Sequence, residues 1–367
     1  MIFDRLDIHH VAMPLIQPWR TSYGEDADIH AVLVKFTSGN HVAWSESSPL
    51  FAPTYLTESA GGAFYHIAHI IGPHVVGKNY DTADDLNQQL ALFKGNPFTK
   101  AAVEIGFWTL QSKITHTSLH QLLGGETREV QAGADFGIED SIDILLARIQ
   151  SAVDAGFPRV KLKATHGWDV DMLHAVRAAF PDLVVHIDCN SGYTLDHLPT
   201  FKKIDAFNLA FIEQPLRYDD LLDHAQLAKQ IDTPICLDES ITSVRAVEQA
   251  LQIGAAQYIN IKPGRVGGLA NAVAIHDRCR DAGVPVWIGG MLESALGAAI
   301  CVELATLPNV TYPSDLFPSS RFYHHDLSQP ENHLTDRNTF RPFTEGLPQP
   351  DPARLKACTV ESATVTP

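Results

Sequence analysis

Five polar residues recur at a near-constant interval. Lys163, Asp188, Glu213, Asp238 and Lys262 are separated by 25, 25, 25 and 24 residues. Each lies at or next to the end of a short apolar run: RVKLK, LVVHID, LAFIEQ, PICLDE and YINIK. A carboxylate at the end of a buried run is costly unless it is paired or holds a cation. Three of them at one depth repel one another, and a hard divalent ion relieves that repulsion. Oxygen-only donors suit Mg2+ or Mn2+ and offer no thiolate or imidazole for zinc. Asp188, Glu213 and Asp238 are therefore candidate metal ligands, with open positions for water and substrate. Lys163 and Lys262 are the candidate acid–base pair. The competing reading is a buried structural network of lysines and acids. Agreement in phase at five positions weighs against it.

This set suits removal of a proton from the carbon beside a carboxylate. The anion left behind carries its charge on two oxygens, which a divalent ion stabilises better than water does. Lys163 takes the proton. Lys262 either returns one, which gives a racemase or epimerase, or stays protonated, which suits β-elimination or cycloisomerisation. Lys161 lies two residues before Lys163 and shares its strand face. Two ammonium groups disfavour each other, and a lysine pushed toward ~7–8 serves as a general base. Alternatively, Lys161 pairs with a carboxylate. Arg265, in GRVGG, either favours a neutral amine at Lys262 through its permanent charge or is a surface turn residue.

The elements that position these groups repeat. Apolar runs at 159–163, 183–188, 209–214, 234–239, 258–262, 284–290 and 309–315 alternate with amphipathic stretches such as DVDMLHAVRAAF, LLDHAQLAKQI and VRAVEQALQIG. Alternation at this pitch means βαβ units and a parallel sheet. With a first strand near 129–138 the count reaches eight, which closes most economically into a barrel. An open doubly wound sheet is the rival, and no G-x-G-x-x-G follows the first strand to support it. All five residues then sit at the C-terminal mouth of the barrel, the lysines on strands that face each other across the ring. Ahead of the barrel, residues 1–60 alternate as antiparallel strands with a turn at 38–40, and helices follow. The expected class is α/β: a TIM-like (β/α)7β barrel over 126–322 under an α+β cap over 1–125. A proline-rich tail from about 323 to 367 folds back on the cap.

Bulk composition sets limits. The chain has 367 residues, 45% hydrophobic and 19% charged, enough for a large core. A formal net charge of −16 without a basic tract argues against nucleic acid. A local cluster of cations can still accept an anionic substrate. Five cysteines without a C-x-x-C read as reduced, mostly core thiols of a reducing, cytoplasmic compartment. The N-terminus has no signal-peptide pattern. The longest apolar stretch, interrupted by Glu293 and Glu303, reads as buried rather than membrane-spanning. The 18 histidines are scattered and read as mostly surface or structural.

VKLK (160–163), HIDCNSGYTL (186–195), FIEQPL (211–216), CLDES (236–240), INIKPGRVGG (259–268) and IGGMLES (288–294) together resemble the enolase superfamily, muconate-lactonizing subgroup. FTKAAVEIGFWTL and LHQLLGG resemble its usual bridge between cap and barrel. Within the subgroup, GGMLES followed by LPNVTYPSDLFPSSRFY looks most like the o-succinylbenzoate synthase and N-acylamino acid racemase branch. The resemblance implies ligands Asp188, Glu213 and Asp238 for Mg2+ or Mn2+, acid–base lysines Lys163 and Lys262, and supporting roles for Lys161, Arg265, Asn190 and Glu239. It makes PWRTSYGED and SPLFAPTYL the closing loops, with Trp19, Tyr23, Phe51 and Tyr55 as pocket residues. It also sets backbone amides around Gly289, Gly290 and Met291 near a distal substrate carboxylate. The implied activity is dehydration to 2-succinylbenzoate for menaquinone, with N-acylamino acid racemisation or muconate-type cycloisomerisation as alternatives. The implied partner is a small carboxylate, handled by a homo-oligomer. Two departures stand out. Ala298 occupies a place where relatives often carry a basic residue. Asp315 stands alone where dipeptide epimerases carry D-x-D.

Overall fold

The computed structural model describes residues 1–21 and 24–367. Seven parallel strands are hydrogen-bonded in chain order: Ala134–Phe136, Val160–Lys163, Val185–Asp188, Ile212–Glu213, Ile235–Leu237, Tyr258–Ile261 and Val286–Ile288. Residues 310–315 close the ring. Val310 and Asp315 bridge Val286 and Gly289 on one side, and Ser314 bridges Ala132 on the other. The expected eighth strand is thus a series of parallel bridges rather than a continuous ladder, and Pro313 has no N–H to give it. The expected first strand is also shorter. Ala134–Phe136 joins the barrel, whereas Val130–Gln131 pairs antiparallel with Thr339–Phe340 of the tail. The tail therefore runs along the barrel before its last strand, Thr359–Val365, joins the cap sheet beside Arg5–Thr21.

Alternation along each barrel strand sorts the side chains. Val160, Leu162, Val185, Ile187, Ile212, Ile235, Leu237, Ile259, Ile261, Val286 and Ile288 belong to the aliphatic core against the outer helices. Their neighbours face the lumen. Deep in the lumen, Phe211, Cys236 and Trp287 pack together with Tyr258 and Tyr312. This layer fills the barrel below its mouth, so charged side chains at the strand ends stand on a dry floor.

The cap sheet carries Arg5–Thr21, Gly24–Ser38 and His41–Ser47, with the turn at Gly39 and Asn40. One helix, Pro97–Thr115, joins cap to barrel. Its Ala101 and Ile105 pack in the barrel core and its Ala102, Val103, Phe107 and Leu110 in the cap core. A helix apolar on both sides is one that is buried between two bodies. Gly106 permits the approach, since a Cβ there would meet the Phe36 ring at 2.1 Å.

Buried glutamates complete the attachment. Glu46 of the cap sheet accepts from the amides of Ser294 (2.8 Å) and Gly297 (3.0 Å) at the start of helix Ala295–Leu304. Glu104 accepts from the amides of Leu269 (2.7 Å) and Ala270 (2.9 Å) at the start of helix Leu269–Asp281. Each satisfies amides that a helix start leaves unpaired. Helices of a βα barrel begin at the mouth, so these contacts seat the cap over it.

Candidate active site

Lys163 and Asp188 are aligned by the pairing of their strands, as are Asp188 and Glu213. Lys163 donates to Asp188 Oδ2 at 2.7 Å and to Asn190 Oδ1 at 2.9 Å. Asn190 also donates to Glu239 at 3.1 Å. Lys161 sits among three acids: Asp188 at 2.9 Å, Glu213 at 2.8 Å and Asp315 at 2.9 Å. Burial opposes its charge, but Asp188, Asp315 and Glu213 outweigh burial and hold the ammonium well above the usual lysine range. Lys161 therefore takes the salt-bridge role and is no lowered-pKa base. Burial likewise works against charge on Asp188, and Lys161 and Lys163 outweigh it, so this carboxyl titrates below the usual range. Glu213 is pushed up by burial and by Asp188. Glu239 is pushed up to about 7, by burial first and Asp188 second.

Across the ring, Lys262 donates to Asp238 at 3.0 Å and to the Tyr55 hydroxyl at 3.1 Å. Arg265 pairs with Asp238 and donates to the Ile241 carbonyl at 2.8 Å and the Tyr55 hydroxyl at 2.9 Å. Its side chain is fully buried, which excludes the surface-turn reading. The expectation that Arg265 favours a neutral Lys262 is corrected. Burial lowers the Lys262 pKa, yet Tyr55, Glu213 and Glu239 outweigh it and the ammonium is favoured.

The positioning roles of three residues escaped the sequence reading, although Asp315 itself was noted there. Gln214, at φ 37°, donates to Ser240 at 2.7 Å and accepts from the Asp238 amide at 2.9 Å, tying one strand end to the next. Its signal was its place directly after Glu213 in FIEQP. Asn260 donates to Glu213 at 2.7 Å, and its inward place in YINIK was the available sign. Asp315 anchors Lys161 and Arg159 from the closing segment.

A family model described as enolase C-terminal domain-like matches residues 145–347. An N-succinylamino acid racemase of an Amycolatopsis species is 40% identical over 331 residues, 90% of either chain. An o-succinylbenzoate synthase of Geobacillus kaustophilus is 39% identical over 325 residues, 88% of this chain and 87% of that one. The crystal structure of an enolase superfamily member from Listeria innocua superposes with a TM-score of 0.95 at 31% identity, covering 100% of this chain and 99% of that one. The chain belongs to the enolase superfamily. It is an enzyme of that superfamily, whose members are generally dependent on a divalent metal.

Enolase superfamily membership sharpens the question of whether these residues suit a metal. Among the described residues no three acids converge on one point as packed here. Asp188 and Glu213 share Lys161, while Asp238 turns to Lys262, Arg265 and Tyr55. The chemistry of the donor set nevertheless fits a hard cation. All three acids are buried on neighbouring strand ends, Glu213 Oε2 is held by the Lys161 ammonium, and Glu239 Oε2 is covered without accepting a hydrogen bond. Buried carboxylate oxygens left in that condition are suited to a metal.

The pocket residues expected from the superfamily fall into different places. Tyr55 and Met291 share one apolar cluster between cap and barrel, with Trp19 packed against it. Trp19 meets Phe322 edge-on at 5.7 Å and borders a cavity of about 440 Å³ with Arg20, Gly137, Asp140 and Arg321. Phe51 is 65% exposed on the cap surface, and its ring meets that of His30 at 4.8 Å with the planes tilted by 53°. Tyr23 lies outside the described residues. The Gly289 and Gly290 amides are taken by the carbonyls of Ile261 and Asp315, each at 3.0 Å, so the expected use of these amides for a substrate carboxylate is corrected. Gly289 is required for space instead, because a Cβ there would meet Asn260 at 2.4 Å and Lys262 at 2.7 Å.

Proposed function

We propose that this chain abstracts the proton next to a carboxylate, acting first as an o-succinylbenzoate synthase. The carrying observation is the pair Lys163 and Lys262, each tied to a carboxylate and based on the second and sixth strands of an eight-membered ring. Asp188, Glu213 and Asp238 would hold the divalent ion, Mg2+ or Mn2+. When bound, that ion would neutralise charge developing on the substrate carboxylate.

Lys163, as the free amine, takes the α-proton through Nζ. The C–H electron pair passes into the carboxylate as an enediolate. Lys262 remains an ammonium on the opposite face, which its raised pKa favours, and supports the anion. Collapse of the enediolate then expels hydroxide from the β-carbon. Lys163 hands its proton to that oxygen, and water leaves. Asn190 orients Lys163, and Tyr55 brings the cap into contact with Lys262 and Asp238.

A second reading uses the same site as an N-acylamino acid racemase, with Lys262 returning a proton to the opposite face. The racemase name carried by the Amycolatopsis relative favours it. The test is to incubate the protein in deuterium oxide with the dehydration substrate and, separately, with both enantiomers of an N-succinylamino acid. Dehydration supports the first reading. Exchange at the α-position of both enantiomers without dehydration overturns it in favour of the second. In this proposal residues 126–322 form the catalytic barrel, and residues 1–125 with the tail from about 323 form its cap. The assembly is a homo-oligomer that works in the cytoplasm on the menaquinone route. No described helix is long and apolar enough to cross a membrane.

A further inference from the structure

Among the lumen-facing acids that the mechanism leaves unused is Asp135. Asp135 lies on the Ala134–Phe136 strand, in register with Lys161. Ala134 and Phe136 face outward into the aliphatic core, and Arg148 of the next helix lies 5.7 Å over the Phe136 ring. Alternation therefore turns Asp135 inward, on the same side as Lys161 and Lys163 and one strand away from them. The residue is only 6% exposed. Its Oδ1 is covered and accepts no hydrogen bond. Burial and Asp315 push its carboxyl up against the charges of Lys161, Lys163 and Arg159, and Arg321 donates to its backbone carbonyl at 3.1 Å. Arg159 pairs with Asp315, Lys161 with Asp188, Glu213 and Asp315, and Lys163 with Asp188 and Asn190.

A buried acceptor without a partner is destabilising, and such groups persist where a ligand completes them. Asp135 lies on the strand paired with the one that carries Lys163, the group taken to remove the α-proton. We propose that Asp135 is a substrate-contacting, specificity-determining residue that accepts a hydrogen bond from the amide N–H of an N-acylamino acid. This rests on the second reading of the reaction, with proton abstraction beside that same N–H.

The test compares an N-succinylamino acid with its isosteric ester, the 2-succinyloxy acid, in which oxygen replaces N–H. Solvent deuterium exchange at the α-position gives kcat/KM for each compound. The wild type is expected to favour the amide by about 10- to 100-fold, the range of one hydrogen bond to a charged group. Asp135→Ala should bring that ratio close to one, and Asp135→Asn, which keeps an oxygen acceptor without the charge, should retain a preference of a few-fold. Because Oδ1 has no internal hydrogen bond, Asp135→Ala should leave the thermal midpoint unchanged or raise it.

An unchanged amide-to-ester ratio in Asp135→Ala overturns the role of Asp135 while the racemase reading stands. Exchange of neither compound by the wild type overturns that reading and this contact together. A large fall in thermal midpoint with equal loss on both compounds assigns Asp135 to the fold and overturns the proposal.

Discussion

Replacing Glu46 by glutamine should change how stability depends on pH. Glu46 is buried between the cap sheet and the start of helix Ala295–Leu304. Burial, with Glu293 and Asp326 nearby, pushes its pKa from 4.5 to about 7 against the hydrogen bonds from Ser294. The folded protein thus binds this proton more tightly than the unfolded chain does. Between about 4.5 and about 7 the native state holds more protons, so stability falls as pH rises through that window and levels off above it. The gap in pKa corresponds to roughly 3 kcal/mol. For a chain of 367 residues that is about 4 °C of thermal midpoint. Glu46→Gln cannot ionise and should remove this slope. Midpoints measured by scanning calorimetry from pH 5 to pH 8 should show the variant gaining about 4 °C relative to wild type across the window. Parallel curves would refute the reasoning, because they would mean that Glu46 stays ionised and is held by the helix amides alone.

The remaining predictions concern the lumen. Lys163→Ala should lower α-proton exchange by about 10²–10⁴-fold, the usual contribution of a general base, with the circular dichroism spectrum unchanged; retained exchange would move the base elsewhere. Lys161→Met leaves Asp188, Glu213 and Asp315 short of a counter-charge, so it should cost roughly 3–5 kcal/mol in urea unfolding. A change below about 1 kcal/mol, the scale of an exposed pair, would show that the triple contact contributes little. Chelation should abolish turnover, and added Mg2+ or Mn2+ should restore it. Direct titration calorimetry should show binding of the ion lost in Asp188→Asn, and binding that survives would remove Asp188 from the ligand set.

Much of the barrel was legible because its signals are local. The βα pitch and the two-residue alternation along VKLK, VHID and YINI are properties of consecutive residues, and they set which side chains face the lumen. The first and last strands were read less well. Both are short, and a two-residue segment such as Val130–Gln131 pairs with the tail rather than with a barrel neighbour. With those bounds uncertain by a residue, the inward face of the first strand was ambiguous, and Asp135 passed unnoticed. The loop that carries Phe51 offered less to read. A loop has no period, so its residue types carry no direction.

By itself, then, the amino-acid sequence determined the ring, the phase of its five polar residues and the chemistry their types allow. Tertiary structure decided the partners. Lys161 is held by Asp315 from the closing segment, 154 positions away in the chain. Tyr55 reaches Asp238 and Lys262 from the cap. The direction in which each buried group titrates follows from those distances. Electrostatic energy depends on separation in space and on the exclusion of water, and neither is a property of neighbours along the chain.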